Sequence, residues 1–154
     1  MGNQQKIANV TGAASGIGKA SAERLIREGM CVIVTDIERE SGEAVVSKAL
    51  AADFLSEYMR LDVQDENSWK DVLRTVERRH RPLDILVNNA GLVHRAPIVD
   101  TSFEDFRPVI ASQHGRDILG LEALYPVLTS KRSQVYRELV LGGWLEGYSE
   151  HECL

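Results

Sequence analysis

The chain has 154 residues, 44% hydrophobic and 27% charged, and its 23 acidic against 18 basic residues leave a net charge of −5. That is about one domain of ordinary globular composition; it excludes collagen-like, disordered and disulfide-scaffold classes and argues against a nucleic-acid partner. Cys31 and Cys153 make no disulfide framework, no apolar run is long enough for a bilayer, and Met1–Lys6 lacks the apolar segment of a signal peptide, so a cytoplasmic protein away from membranes is expected.

Lys6–Thr11 reads as a strand. Ile17–Glu28 follows as a helix, with Ile17, Ala20, Leu25 and Ile26 broadly on one side and Gly29 placed to stop it. Cys31–Thr35 is a continuous apolar run, as in a strand buried on both faces. Glu38–Ala51 is the second helix, Tyr58–Val63 a short strand and Ser68–His80 the third helix. Ile85–Val87 is another doubly buried strand, and a further helix starts over Phe103–Ile110. Strands alternating with helices predict an α/β fold: a parallel sheet with helices on both faces and right-handed crossovers. Beyond residue 110 the pattern weakens. Ser112–Asp117 is polar where a helix should continue, Leu119–Leu128 is a weak helix interrupted by Pro126, and Glu138–Gly143 is a candidate fifth strand. The chain therefore divides into residues 1–111 and a diverged segment, 112–154.

Thr11–Gly18, TGAASGIG, lies between the first strand and first helix. Gly12 permits a tight turn, Gly16 lets backbone approach a pyrophosphate, and Gly18 lets helix and strand pack closely; the helix N-terminus offers amides and positive dipole. A Walker loop would need glycine at Ala13, and a nucleophile elbow needs glycine at the same place. Asp36 ends the second strand, where an acid accepts from the adenosine ribose hydroxyls and repels a 2′-phosphate, so NAD is favoured over NADP. The bland alternative for Asp36 is a helix N-cap. The run Arg78-Arg79-His80-Arg81 reads as a solvated helix end. The four histidines share no metal-ligand spacing, and Trp69 and Trp144 read as packing residues.

TGAASGIG, Asp36, Asp62-Val63 and the NNAG run Asn88–Gly91, in that order and spacing, resemble the short-chain dehydrogenase/reductase family over roughly residues 5–110. The resemblance implies a Rossmann-type three-layer αβα fold whose second half is incomplete here. It also implies a nicotinamide dinucleotide cofactor and a small-molecule alcohol or carbonyl substrate. It assigns Gly12, Ser15, Gly16, Ile17 and Gly18 to the pyrophosphate, and Asp36 and Ile37 to the adenosine ribose. Asp62 and Val63 would border the adenine, Asn89, Ala90 and Gly91 would lie under the cofactor, and Asn88 would brace the sheet.

The family's proton transfer needs a Tyr with a Lys four residues on, a Ser, and a relay Asn. Here Tyr58, Tyr125, Tyr136 and Tyr148 are followed at that spacing by Asp62, Thr129, Val140 and Glu152. Gln113 stands near the relay position, and Ser130, Ser133 and Ser149 fit no catalytic place. No catalytic residue is therefore assigned. The expectation is a cofactor-binding half without the chemical half, acting as a dehydrogenase by lineage, or as an inactive dinucleotide-binding module. A third expectation is an interaction protein that forms a homo-oligomer or pairs with a full-length relative. In the expected strand order 3-2-1-4-5, loss of the fifth strand bares the fourth, unless Leu139-Val140-Leu141 replaces it.

Overall fold

The computed structural model describes residues 5–129 apart from positions 82, 93 and 95, with backbone alone at 98, 113–117 and 123–129. The order is β1 (Ile7–Thr11), α1 (Gly16–Arg27), β2 (Cys31–Asp36), α2 (Arg39–Leu50), β3 (Ser56–Arg60), α3 (Glu66–Arg79), β4 (Ile85–Val87), a 3-10 turn (Ile98–Asp100) and α4 (Phe103–Thr129). The four strands form one parallel sheet in the order β3-β2-β1-β4. This is the parallel sheet the alternation predicts and the Rossmann-type arrangement the resemblance implies. The candidate strand Glu138–Gly143 lies outside the described residues.

The pleat sorts side chains between two cores. Ala8, Val10, Val32, Val34 and Val87 face one way, onto Ala22 and Ile26 of α1 and Val45 and Ala49 of α2. Ile7, Ile33 and Leu86 face the other, onto Trp69, Val72 and Val76 of α3, with Leu119 of α4 beside them. Trp69 is fully buried, the packing role its sequence position suggests.

Helix α1 stops as read. Gly29 has φ +83, its amide donates to the Ile26 carbonyl at 2.9 Å, and the Met30 amide reaches back to Leu25 at 3.1 Å. These paired bonds satisfy the last carbonyls, and the left-handed residue suits glycine.

Two elements differ from the sequence reading. The third strand is Ser56–Arg60, not Tyr58–Val63, because pairing with β2 runs from Val32↔Ser56 to Asp36↔Arg60. Leu61 and Val63 are buried, but in the loop beyond the strand, where the Trp69 indole donates to the Val63 carbonyl. An edge strand tolerates the polar residues that hid this one. Helix α4 also runs unbroken through 112–117, and Pro126 falls within its last turn. Ser112 is buried there, and Gly120 fits against Asn88 and Trp69 so closely that a Cβ would lie 3.1 Å from each. Backbone hydrogen bonding inside a helix is indifferent to side-chain polarity, so packing at these two positions outweighs the missing apolar stripe.

The basic run is more than a solvated end. Arg79 and His80 both meet Glu57, and Arg81 grips Asp84 through two nitrogens at 3.1 and 2.5 Å. Asp84 in turn accepts from the Ile7 amide at 2.8 Å, tying the start of β1 to the approach of β4.

Candidate functional site

All the candidate residues lie at the carboxyl ends of the four strands. Gly12–Gly18 follow β1 and run into the first turn of α1, Asp36 ends β2 with Ile37 next, Asp62-Val63 follow β3 and Asn89–Gly91 follow β4. In a parallel sheet these loops share one edge, where open α/β folds bind ligands.

The glycine loop is fixed from below. The Thr11 hydroxyl donates to the Val87 carbonyl at 3.3 Å and accepts from the Asn89 and Ala90 amides at 2.9 and 3.0 Å. The Asn89 side-chain amide donates to the carbonyls of Thr11 at 3.0 Å and Gly12 at 3.4 Å. These bonds draw the NNAG loop so near the glycine loop that side chains are excluded. A Cβ on Gly12 (φ +65) would sit 2.8 Å from the Ala90 Cα, and one on Gly18 would collide with the Gly12 carbonyl oxygen and Asn89. Gly16 differs. It has φ +53, and a Cβ there would meet nothing within 4 Å. Ser15 is the N-cap of α1 and makes no side-chain cap bond, and Ser15, Gly16 and Ile17 are all exposed. The first amides of a helix have no partner within it, so open space here meets amide donors and a positive dipole end. A pyrophosphate fits that donor set.

Asp36, half-buried, sits one loop away. Its Oδ2 accepts from the Ala14 amide at 2.9 Å, and its Oδ1 from the Glu38 amide at 3.1 Å. Glu38, not Asp36, is the N-cap of α2. Each carboxylate oxygen keeps a second acceptor position, enough for a vicinal diol. Ile37 is exposed beside it. Asp62 Oδ1 accepts from the Gln64 amide at 3.0 Å, and its own amide is held by the Ser68 hydroxyl at 3.0 Å. The Val63 side chain turns into the core, so that residue offers the crevice backbone alone. Asn88 is buried against Gly120, a bracing position.

Sequence reasoning missed two supports. The Ser112 hydroxyl accepts from the Leu92 amide at 3.1 Å, tethering the NNAG loop to α4. Tyr58 donates from its hydroxyl to the Asp36 carbonyl at 2.9 Å. No local pattern announces a bond between residues 20 or more apart. Burial, with the Asp36 carboxylate adding, pushes the Tyr58 phenol above its ordinary value, which keeps it a donor. Among the described residues no group of His, Cys, Asp and Glu could hold a metal ion, and no helix is long and apolar enough to cross a membrane.

A family model described as short chain dehydrogenase matches residues 6–133. The chain is 33% identical over 129 residues to the uncharacterized oxidoreductase YxjF of Bacillus subtilis, covering 84% of this chain and 50% of that protein. It is 33% identical over 119 residues to the cyclopentanol dehydrogenase of Comamonas testosteroni, covering 77% and 48%. Among solved structures, the apo form of LigD from Sphingobium sp. strain SYK-6 superimposes with a TM-score of 0.80 at 26% identity, over 88% of this chain and 59% of that one. An alcohol dehydrogenase from Thermococcus sibiricus complexed with 5-hydroxy-NADP superimposes with a TM-score of 0.76 at 26% identity, over 82% and 55%. The chain spans about half the length of the curated relatives it matches.

Proposed function

The chain belongs to the short-chain dehydrogenase family, and from that premise we propose that its described residues bind NAD for an oxidoreductase of alcohols and carbonyls. The observation that carries this reading is the open space at Gly16 against the N-terminus of α1, with Asp36 held one loop away. Gly12 and Gly18 keep the backbone low, while Ser15, Gly16 and Ile17 present the helix end to the pyrophosphate. Asp36 accepts from the adenosine ribose, and its charge disfavours a 2′-phosphate. Ile37 and Asp62 flank the adenosine, and Asn89, Ala90 and Gly91 form the floor. The dinucleotide, when bound, supplies the hydride acceptor or donor. Relatives named for cyclopentanol and for a chlorinated cyclohexadienediol support a small alcohol as the substrate class.

A second reading has its own support. None of the four tyrosines precedes a lysine by four residues, so this chain holds the dinucleotide without turning over, alone or beside a full-length relative. Calorimetric titration tests the cofactor choice, and a turnover assay separates the two readings. NAD is expected to bind more tightly than NADP, and Asp36→Ala to narrow the gap; tighter NADP binding to the unmodified chain refutes the cofactor choice. General acid–base groups contribute roughly 10²- to 10⁴-fold in rate. NAD reduction with a panel of alcohols is expected to be undetectable, and robust turnover would reject the second reading.

A further inference from the structure

Asp36 is held at more points than strand geometry requires. Its carbonyl accepts from the Leu61 amide at 3.1 Å, as the ladder dictates, and also from the Tyr58 hydroxyl at 2.9 Å. Its carboxylate accepts from Ala14 in the glycine loop and from Glu38 at the start of α2. Tyr58 is itself seated by α2, where Gly42 leaves a notch for the ring; a Cβ on Gly42 would collide with it. A chain of contacts therefore runs from Gly42 through Tyr58 to Asp36 and on to Ala14.

We infer that Tyr58 is a positioning residue: by fixing the backbone of Asp36 it holds the carboxylate against Ala14 and so sets the preference for an unphosphorylated ribose. The inference rests on the dinucleotide reading above. A carboxylate free to rotate away loses acceptor geometry toward a diol, while a 2′-phosphate makes no such demand on it. Gly42 then has a reason to be glycine inside a helix, where alanine is otherwise favoured.

The test uses the full chain and two variants acting from different elements, Tyr58→Phe, which removes the hydroxyl, and Gly42→Ala, which displaces the ring. Titration with NAD and NADP is expected to show NAD affinity falling about three- to tenfold in each, the worth of one hydrogen bond. NADP affinity is expected to change less than twofold. Tyr58→Phe added to Asp36→Ala should cost nothing further. Without nucleotide, hydrogen exchange at the Ala14 amide should speed up in both Tyr58→Phe and Asp36→Ala. An equal loss for both dinucleotides, or unchanged Ala14 exchange, overturns the inference. If the unmodified chain binds neither dinucleotide, the dinucleotide reading fails while Ala14 exchange still decides whether Tyr58 positions Asp36.

Discussion

At Gly16 and Gly18 the same residue type does opposite work. Gly18 is glycine because its surroundings leave no room, whereas Gly16 is glycine for its left-handed backbone and the space it leaves open. Gly18→Ala is expected to lower stability by about 1–3 kcal/mol through the forced shift of the Gly12 carbonyl. Gly16→Ala should cost about 1–2 kcal/mol of backbone strain yet keep the fold, while weakening NAD binding in calorimetry. Thermal melts paired with titrations check both; full NAD affinity in Gly16→Ala would contradict the pyrophosphate assignment. Asn9 makes a second residue-scale case. It is fully buried in β1, its Oδ1 accepts from the Thr35 hydroxyl at 2.8 Å, and its Nδ2 has no partner among the described residues. The Thr35 hydroxyl also reaches the Val10 carbonyl at 2.9 Å, so it keeps an acceptor if Asn9 is lost. Asn9→Val should therefore stabilise the protein by about 1 kcal/mol, read by denaturant unfolding.

Among the elements, α4 shows how a helix start can be legible and its course not. Ser102 and Asp105 form a reciprocal cap. The Ser102 hydroxyl accepts from the Asp105 amide at 3.2 Å, and Asp105 Oδ2 accepts from the Ser102 hydroxyl at 2.6 Å and amide at 3.0 Å. Those bonds, the hydroxyl first, hold the Asp105 carboxyl below its ordinary value near 3.8. A carboxyl that ionises more easily in the folded state adds stability that is full above its unfolded value and lost as pH falls through its folded one. An NMR titration should show Asp105 ionising below the ordinary range. Ser102→Ala should move it upward, and an unmoved titration would deny the cap its role. The polar run 112–117 carried no apolar stripe to announce a helix. Its helical state was decided by the fit of Ser112 and Gly120 against the NNAG loop and Trp69.

For the whole molecule, the sheet order leaves β4 outermost on one side among the described residues. The Asp84 amide donates to the Ile7 carbonyl, so by the alternation of the parallel ladder the Leu86 amide faces β1 and the Ile85 and Val87 amides face away from it. An apolar strand whose outer amides have no partner among the described residues is a pairing site. We expect those two amides to be protected from hydrogen exchange in the full chain. Mass by light scattering then tells whether Leu139–Leu141 or a second copy covers them. Rapid exchange at Ile85 and Val87 in a monomer would rule out both.

What the sequence determined is whatever depends on short spacing. The alternation of strand and helix, the glycine loop with its helix, Asp36 at a strand end and the NNAG run are each local in the chain. Parallel pairing follows from the alternation, and one-handed crossovers then narrow the topology. Tertiary structure alone decided the rest. The register of β3 against β2 moved the third strand off its apolar residues, and burial of Leu61 and Val63 was achieved in a loop. The hold on Asp36 came from Tyr58, and the hold on the NNAG loop from Thr11 and Ser112. These bonds join residues 20 to 78 positions apart, and no local preference encodes a partner that far along the chain.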